Sequence, residues 1–144
     1  MDIYNIVLYD SKIEMQELLE LNSLINKKNL VLSKHDIQEL IINKNNILKN
    51  LGRVEISNNI LKSLIYEFYD LPYIDKSNYL ELFEELTNIF YLYQDEFWKF
   101  LTDEQLMKYI KDSFMNNNGI LESLYDLSIL KKQLESGSFY EEYC

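Results

Sequence analysis

Residues that could carry out chemistry are scarce in this chain of 144 amino acids. It has one His (His35), one Cys (Cys144) and one Arg (Arg53), and these stand far apart in sequence. Nucleophilic catalysis needs a Ser or Cys beside a base, and zinc sites need several Cys or His. The sequence therefore favours a non-catalytic protein over an enzyme, with no catalytic residue, no metal site and no cofactor.

Carboxylates offer one alternative to this conclusion. A Mg²⁺ or Ca²⁺ site needs several oxygen ligands, and three glutamates lie close together in one predicted helix: Glu81, Glu84 and Glu85. Their helical spacing is also typical of the solvated face of a helix. We favour the solvated face.

The segment Gly52-Arg53-Val54-Glu55 stands out because it places the only Arg after a helix-terminating Gly, in an extended stretch. A guanidinium there could bind an anion through two parallel hydrogen bonds, in a pocket near Arg53, Asp70 and Tyr73. Alternatively, Arg53 is structural, pairing with Glu55 or Asp70 and satisfying carbonyls at a helix end. We favour the structural role.

Apolar residues recur at helical spacing along most of the chain and predict about six helices joined by short turns. Ser33 and Thr102 are expected N-caps, the latter opening a capping box. Gly52 is expected to end the second helix, and Pro72 to stop the third. The longest helix is expected from about residue 76 to 101. The predicted fold is all-α, a single bundle-like domain.

Two stretches are β-prone, residues 3–9 and 53–56. They predict at most a minor two-stranded element. The first helix is then expected to start near Ser11, which forms a capping-box pattern with Glu14.

The C-terminal residues 136–144 show no apolar periodicity, which predicts a flexible tail after a helical domain of residues 1–135. The aromatic side chains of Phe139, Tyr140 and Tyr143 leave a second possibility open, in which the tail folds back onto a groove or enters a partner.

The longest helix is apolar on two sides. Besides one broad apolar face, which includes Phe100, the residues Leu80, Tyr91 and Trp98 follow a separate line with Thr87. Such a helix is either central to the bundle or covers a partner. We favour the central position and keep the line as a candidate interface.

The net charge of −10 is spread unevenly. Residues 1–72 carry 8 Lys/Arg against 10 Asp/Glu, whereas residues 73–144 carry 6 Lys against 14 Asp/Glu. Nucleic-acid binding by direct contact needs a basic face, so the composition argues against it. The acidic half either forms a solvated surface, which we favour, or meets a basic partner.

The sequence predicts a cytoplasmic protein without membrane contact. No apolar run approaches the ~20 residues of a spanning helix, and the start lacks the basic region of a signal peptide. One Cys cannot form an internal disulfide. Abundant Ile, Asn, Lys and Tyr without any Ala is typical of an AT-rich bacterial genome.

Part of the chain resembles a domain-of-unknown-function family of small helical proteins from low-GC Gram-positive anaerobes. The resemblance rests on Gly52-Arg53-Val54-Glu55, Ile60-Leu61, Leu64-Ile65, Phe68, Asp70-Leu71-Pro72-Tyr73-Ile74, Asn78-Tyr79 and Ile89-Phe90-Tyr91. Family members often have Cys and Ser where this chain has Tyr69 and Leu71, which argues against a thiol role here. The resemblance implies one helical cytoplasmic domain and brings no activity, cofactor or catalytic residue.

Three functions remain open at this point. The first is a non-catalytic protein–protein interaction module that binds another protein or a second copy of itself. The alternative is a small-molecule or anion-binding protein with a pocket near Arg53, Asp70 and Tyr73. A third is an acidic inhibitor that mimics nucleic acid, which would need its carboxylates on one surface. We favour the first, because Tyr and Trp are enriched in interface cores.

Overall fold

Helices make up the regular structure of the computed structural model, which describes residues 3–53 and 59–143. The α-helices are α1 (Ile3–Glu20), α2 (Asn22–Ile25), α3 (Lys34–Asn50), α4 (Ile60–Phe68), α5 (Tyr79–Phe97), α6 (Asp103–Asn116), α7 (Ser128–Ser136) and α8 (Ser138–Tyr143). Six of them have nine residues or more, and short 3₁₀ turns lie at Asn26–Lys28 and Glu122–Tyr125. These residues contain no strand, so the predicted all-α, bundle-like fold is confirmed.

The β-prone stretch at residues 3–9 forms no strand, because α1 begins at Ile3 and continues to Glu20. The predicted capping box of Ser11 and Glu14 is wrong for the same reason, since both residues lie inside this helix. A residue's β-propensity mostly reflects how its side chain packs against neighbours in a sheet. It is therefore weak evidence for a strand in a segment that can continue a long helix. Of the second β-prone stretch, Arg53 is in irregular backbone, and residues 54–56 lie outside the described part.

The predicted ends of α3 are confirmed. The Ser33 hydroxyl accepts a hydrogen bond from the Asp36 backbone N–H, and the Asp36 carboxylate accepts one from the Ser33 N–H, which completes a capping box. At the other end Gly52 has a left-handed φ of 69°. Such a φ is nearly free of cost only for glycine, so the chain can leave the helix there.

The longest helix is shorter than predicted at both ends, running over Tyr79–Phe97. At its start the Asp75 carboxylate accepts hydrogen bonds from the N–H and hydroxyl of Ser77, and the Asn78 side chain accepts one from the Asp75 N–H. These local bonds compete with helix formation. They also lower the pKa of Asp75, chiefly through the Ser77 hydroxyl. Thr102 caps α6 in the predicted capping box.

Helix α5 is the central element of the bundle and contacts α3, α4 and α6. Its buried residues include Phe83, Phe90 and Tyr93. Around it, Phe68 of α4 and Phe114 of α6 meet edge to face with ring centroids 5.7 Å apart. Aromatic pairs favour this arrangement over face-to-face stacking.

The C-terminal segment is helical in its described part, and one of its aromatic side chains is buried. Gly137, with φ of 79°, ends α7, and Ser138–Tyr143 form α8. The Phe139 side chain is fully buried, and its ring centroid lies 6.4 Å from that of Tyr109 in α6. The expectation that this segment frays without a packed apolar side chain is therefore wrong at Phe139.

Candidate functional site

The backbone at the end of α3 holds Arg53 in place. The Gly52 N–H donates to the Lys49 carbonyl at 3.0 Å, and the Arg53 N–H donates to the Leu48 carbonyl at 2.8 Å. These two bonds form a Schellman motif, which satisfies helix-end carbonyls. Part of the structural role predicted for Arg53 is thus performed by its backbone, and its side chain is left to reach α5.

The Arg53 side chain belongs to a hydrogen-bonded relay that crosses three elements. The Arg53 Nη2 donates to Gln94 Oε1 in α5 at 2.6 Å, and the Gln94 Nε2 donates to Asp103 Oδ1 in α6 at 2.8 Å. Gln94 is only 7% exposed, and these two bonds give both its carbonyl oxygen and its amide nitrogen a partner, as buried polar groups require. The Arg53–Gln94–Asp103 relay therefore ties the end of α3 to the turn between α5 and α6.

A cavity of about 420 Å³ lies beside this relay. It is lined by Arg53, Gln94, Asp95, Trp98, Leu101, Thr102 and Asp103. The cavity is open, and Asp95 and Trp98 on its rim are exposed. A charged donor, an amide, two carboxylates and an indole therefore line one open cavity.

The turn between α5 and α6 displays two large aromatic side chains. Trp98 is 63% exposed and Phe100 is 64% exposed, and the Lys99 ammonium lies 5.5 Å from the centroid of the Trp98 ring. The helix ends at Phe97, so Phe100 leaves the buried face on which it was predicted. We call Trp98 and Phe100, with the carboxylates of Asp95 and Asp103, the α5–α6 corner.

The residues predicted to accompany Arg53 do not lie with it in this cavity. Asp70 is exposed. Tyr73 donates from its hydroxyl to Asn118 Oδ1 at 3.2 Å and packs edge-on against Phe114, with centroids 5.8 Å apart. Glu55 lies outside the described residues. The Arg53 side chain instead bonds to Gln94, which the sequence did not suggest.

The predicted interface line along α5 is interrupted. Tyr91 is fully buried and Leu80 is half-buried against the core, so only Trp98 of the three is exposed. Thr87, on the same line, is buried and donates from its hydroxyl to the Phe83 carbonyl at 2.6 Å. The favoured alternative, in which both sides of α5 are covered within the bundle, therefore holds for Thr87 and Tyr91.

A second polar contact went unnoticed in the sequence. The Lys44 ammonium in α3 lies 2.5 Å and 2.6 Å from the two carboxylate oxygens of Glu14 in α1, and the two side chains are 4% and 9% exposed. A signal was available, because Lys44 interrupts the buried stripe formed by Ile41 and Leu48. Gln94 likewise interrupts the stripe between Phe90 and Phe97.

Cys144 lies outside the described residues, and the other titratable groups singled out in the sequence are exposed or half-buried. His35 is exposed, with its Nε2 3.1 Å from Glu39 Oε1. The pKa of Glu84 is raised by partial burial and by the negative charges of Glu39 and Glu81. Within residues 3–53 and 59–143, no three His, Cys, Asp or Glu side chains are placed to hold a metal ion.

A larger groove of about 610 Å³ runs between α4 and α6. Ile60 and Met107 are its buried apolar residues, and its charged rim includes an ion pair of 3.3 Å between Lys111 and Glu67. Asp103 lines this groove as well as the relay cavity, so the two are neighbours. The charges along the rim are of both signs, which gives the groove little preference for an anion or a cation.

The fold and the site define an all-α domain with a polar relay beside an exposed aromatic corner. In the described part of the chain, no helix combines the length and the apolar character needed to cross a membrane. Residues 17–137 match the model of DUF6323, a family of unknown function, and the chain belongs to this family. The predicted membership in a domain-of-unknown-function family is thus confirmed. Comparisons with curated proteins and with solved structures found no match.

Proposed function

We propose that this protein is a non-catalytic protein–protein interaction module that binds a basic segment of another protein at the α5–α6 corner. One observation carries the proposal. Trp98 and Phe100, two residues apart in one turn, are each more than 60% exposed. Single exposed apolar residues are ordinary, but Trp is enriched among the residues that dominate binding energy at interfaces.

The charges around the corner favour a basic partner. Asp95 and Asp103 line the same cavity as Trp98, and Glu104 lines the neighbouring groove. The Lys99 ammonium already lies near the Trp98 ring, a position in which a cation is attracted by the ring's electron density. A second copy of the chain would bring another net charge of −10, which opposes self-association.

The alternative, an anion or small molecule bound by Arg53, is less well supported. The Arg53 guanidinium donates to Gln94, and two carboxylates, Asp95 and Asp103, line the same cavity. Their negative charges oppose an incoming anion. We therefore assign Arg53 a structural role in holding the corner.

The proposed location of the protein is the cytoplasm of a bacterium, as its single cysteine and its composition suggest.

The proposal is tested with labelled synthetic peptides whose binding is followed by fluorescence anisotropy. One peptide alternates Lys with Leu, and its control alternates Glu with Leu. We expect the Lys peptide to bind, and added salt to weaken the binding, because screening reduces the attraction between exposed charges. Trp98 is the only Trp of the chain, so its emission should change on binding.

Substitutions then locate the binding surface. Trp98→Ala and Phe100→Ala should each weaken binding of the Lys peptide roughly tenfold or more. Tyr66→Ala is the matched control, because Tyr66 is an aromatic residue of α4 with a similar exposure of 57%. Equal binding of both peptides, or an equal loss in all three variants, would refute the proposal. Dimers that vanish in Trp98→Ala would show that the occupant is a second copy instead.

A further inference from the structure

The turn of residues 117–120, which follows α6, contains the only Asn of the chain that precedes a Gly, Asn118-Gly119. We call it the Asn118 turn. In such a pair the Gly backbone nitrogen can attack the side-chain amide carbon of the Asn, because a residue without Cβ leaves the approach open. The new N–Cγ bond closes a succinimide ring, and the side-chain nitrogen leaves as ammonia. Water then opens the ring at either carbonyl, which gives aspartate or isoaspartate.

The attacking nitrogen is held by the end of α6. The Asn118 N–H donates to the Met115 carbonyl at 3.3 Å, and the Gly119 N–H donates to the Phe114 carbonyl at 2.8 Å. These two bonds form a Schellman motif, and Asn118 occupies its left-handed position with a φ of 57°. The Gly119 nitrogen must lose its proton before it can attack, so the reaction requires that its bond to Phe114 opens.

The side-chain amide of Asn118 is held as well. Its Oδ1 accepts a hydrogen bond from the Tyr73 hydroxyl at 3.2 Å. Gly119 lies so close to Tyr73 that a Cβ on Gly119 would be 2.5 Å from the Tyr73 Cβ. Tyr73 in turn packs edge-on against the buried ring of Phe114. Both reacting groups are therefore held in place by contacts of the closed turn.

The Asn118 turn is nevertheless a weak part of the fold, because most of it lies on the surface. Asn117, Asn118 and Ile120 are exposed, and Gly119 is half-buried. Segments with few buried apolar contacts open locally at a lower cost than unfolding of the whole domain. Local opening therefore gives the reaction a route that leaves the rest of the bundle folded.

We propose that Asn118 is a site of spontaneous modification, converted through a succinimide to aspartate and isoaspartate whenever the Asn118 turn opens. Either product adds a negative charge beside Tyr73. Isoaspartate also inserts its Cβ into the main chain, so the two bonds of the Schellman motif cannot both form again. The site is separate from the α5–α6 corner and does not depend on the function proposed for it.

Incubation of the full-length protein at mildly alkaline pH tests the proposal, with the same chain in guanidinium chloride as the unfolded reference. Peptide mass spectrometry measures deamidation at each Asn, and electron-transfer fragmentation separates isoaspartate from aspartate. We expect Asn118 to react before its exposed neighbours Asn116 and Asn117. Its rate should be at least roughly tenfold lower in the folded protein than in the unfolded chain, because the reaction waits for a local opening.

Hydrogen exchange at the Gly119 amide tests the role of the bond to Phe114. Exchange and succinimide formation both require that the Gly119 N–H leaves the Phe114 carbonyl and loses its proton. Small additions of guanidinium chloride should therefore raise both rates by the same factor. A deamidation rate that does not follow the exchange rate would contradict the proposed route.

Substitutions separate the open route from a reaction in the closed turn. Tyr73→Phe removes the hydroxyl that holds the Asn118 side chain, so the turn should open more often and deamidation should be roughly twofold faster or more. Tyr66→Phe is the matched control, because Tyr66 is an exposed tyrosine of α4, and it should leave the rate unchanged. Asn118→Gly suits the left-handed φ and removes the amide, so the modification should vanish without a loss in melting temperature.

Three other outcomes would overturn the proposal. Equal rates in the folded and unfolded chains would mean that the turn is open in solution. No reaction in the folded protein, while the unfolded chain reacts, would mean that the turn stays closed. Slower deamidation in Tyr73→Phe would mean that the Tyr73 hydroxyl assists the attack in the closed turn. The first two results come from the unsubstituted protein, so they decide the question even if a variant fails to fold.

Discussion

Two of the polar contacts that link distant parts of the chain differ in how far they are exposed to water. The Glu14–Lys44 pair joins α1 to α3, with both side chains less than 10% exposed. The Arg53–Gln94–Asp103 relay joins the end of α3 to α5 and α6 beside a cavity of about 420 Å³. The first contact is inaccessible to a partner molecule, whereas the second borders an open cavity.

The difference shows where this molecule can support function. Two opposite charges taken out of water attract each other strongly, but much of that attraction only offsets the cost of desolvating them. Such a pair specifies how two helices pack. In the relay a neutral amide separates the charges, and the cavity leaves Trp98 free to make new contacts. The polar group that is less completely buried is therefore the one beside the candidate interface.

The largest predicted effect concerns the closed pair. Lys44→Ala should lower the free energy of unfolding by about 3–5 kcal/mol, because it leaves the Glu14 carboxylate buried without a partner. Denaturant unfolding followed by circular dichroism measures this loss.

The double variant Glu14→Leu with Lys44→Met is the control. Replacing both members of a buried pair by apolar residues is often neutral or stabilising by about 1–4 kcal/mol. If Lys44→Ala cost less than the error of the measurement, Lys44 would reach solvent, and the contrast between the two contacts would disappear.

An intermediate effect is expected from the centre of the relay. Gln94→Leu should cost about 1–3 kcal/mol, because Asp103 and Arg53 both lose their bond to the buried amide. The same unfolding experiment applies, with Gln38→Leu on the surface as a reference expected within about 0.5 kcal/mol of the unmodified protein. A loss of stability as large as that of Lys44→Ala would mean that the relay is as inaccessible to solvent as the Glu14–Lys44 pair.

A smaller effect is expected at the open end of the relay. Arg53→Ala should cost about 1 kcal/mol, since one hydrogen bond is lost and water in the cavity can replace the guanidinium. A thermal melt compares it with Arg53→Lys, whose single ammonium does not reproduce the planar set of donors. An Arg53→Ala variant as unstable as Lys44→Ala would contradict the idea of an open site.

The smallest effect on stability is expected at the aromatic corner itself. Trp98→Ala should change the free energy of unfolding by no more than about 0.5 kcal/mol, because its side chain is 63% exposed. Phe97, the preceding residue, is 3% exposed, and Phe97→Ala should cost about 3–5 kcal/mol. Similar losses in the two variants would show that Trp98 is packed in solution and is not available to a partner.

Much of the fold was predictable because its signals are local. The capping boxes at Ser33 and Thr102 act within three residues of sequence, and Gly52 ends its helix through bonds to the preceding turn. The failures were local as well. Residues 3–9 were misread because β-propensity is weak evidence, and the start of α5 was misplaced because the Asp75 turn was not recognised.

The candidate site was predictable only in part. Arg53 and Trp98 were singled out from the sequence, but the partners expected for them were not those found. Tyr91 was placed in an interface and is buried, and Phe100 was placed on the buried face and is exposed. Both errors follow from extending one helical pattern without knowing which neighbours cover it or where the helix ends.

The sequence by itself determined the helical class, the main caps, the acidic surface and the scarcity of catalytic residues, since each depends on composition or on residues within one turn. Tertiary structure alone decided that Lys44 meets Glu14, 30 residues away, and that Arg53 meets Gln94, 41 residues away. No local bond encodes such pairings. They follow from the way α1, α3, α5 and α6 bury their apolar faces together, because this packing brings the few polar groups on those faces into contact.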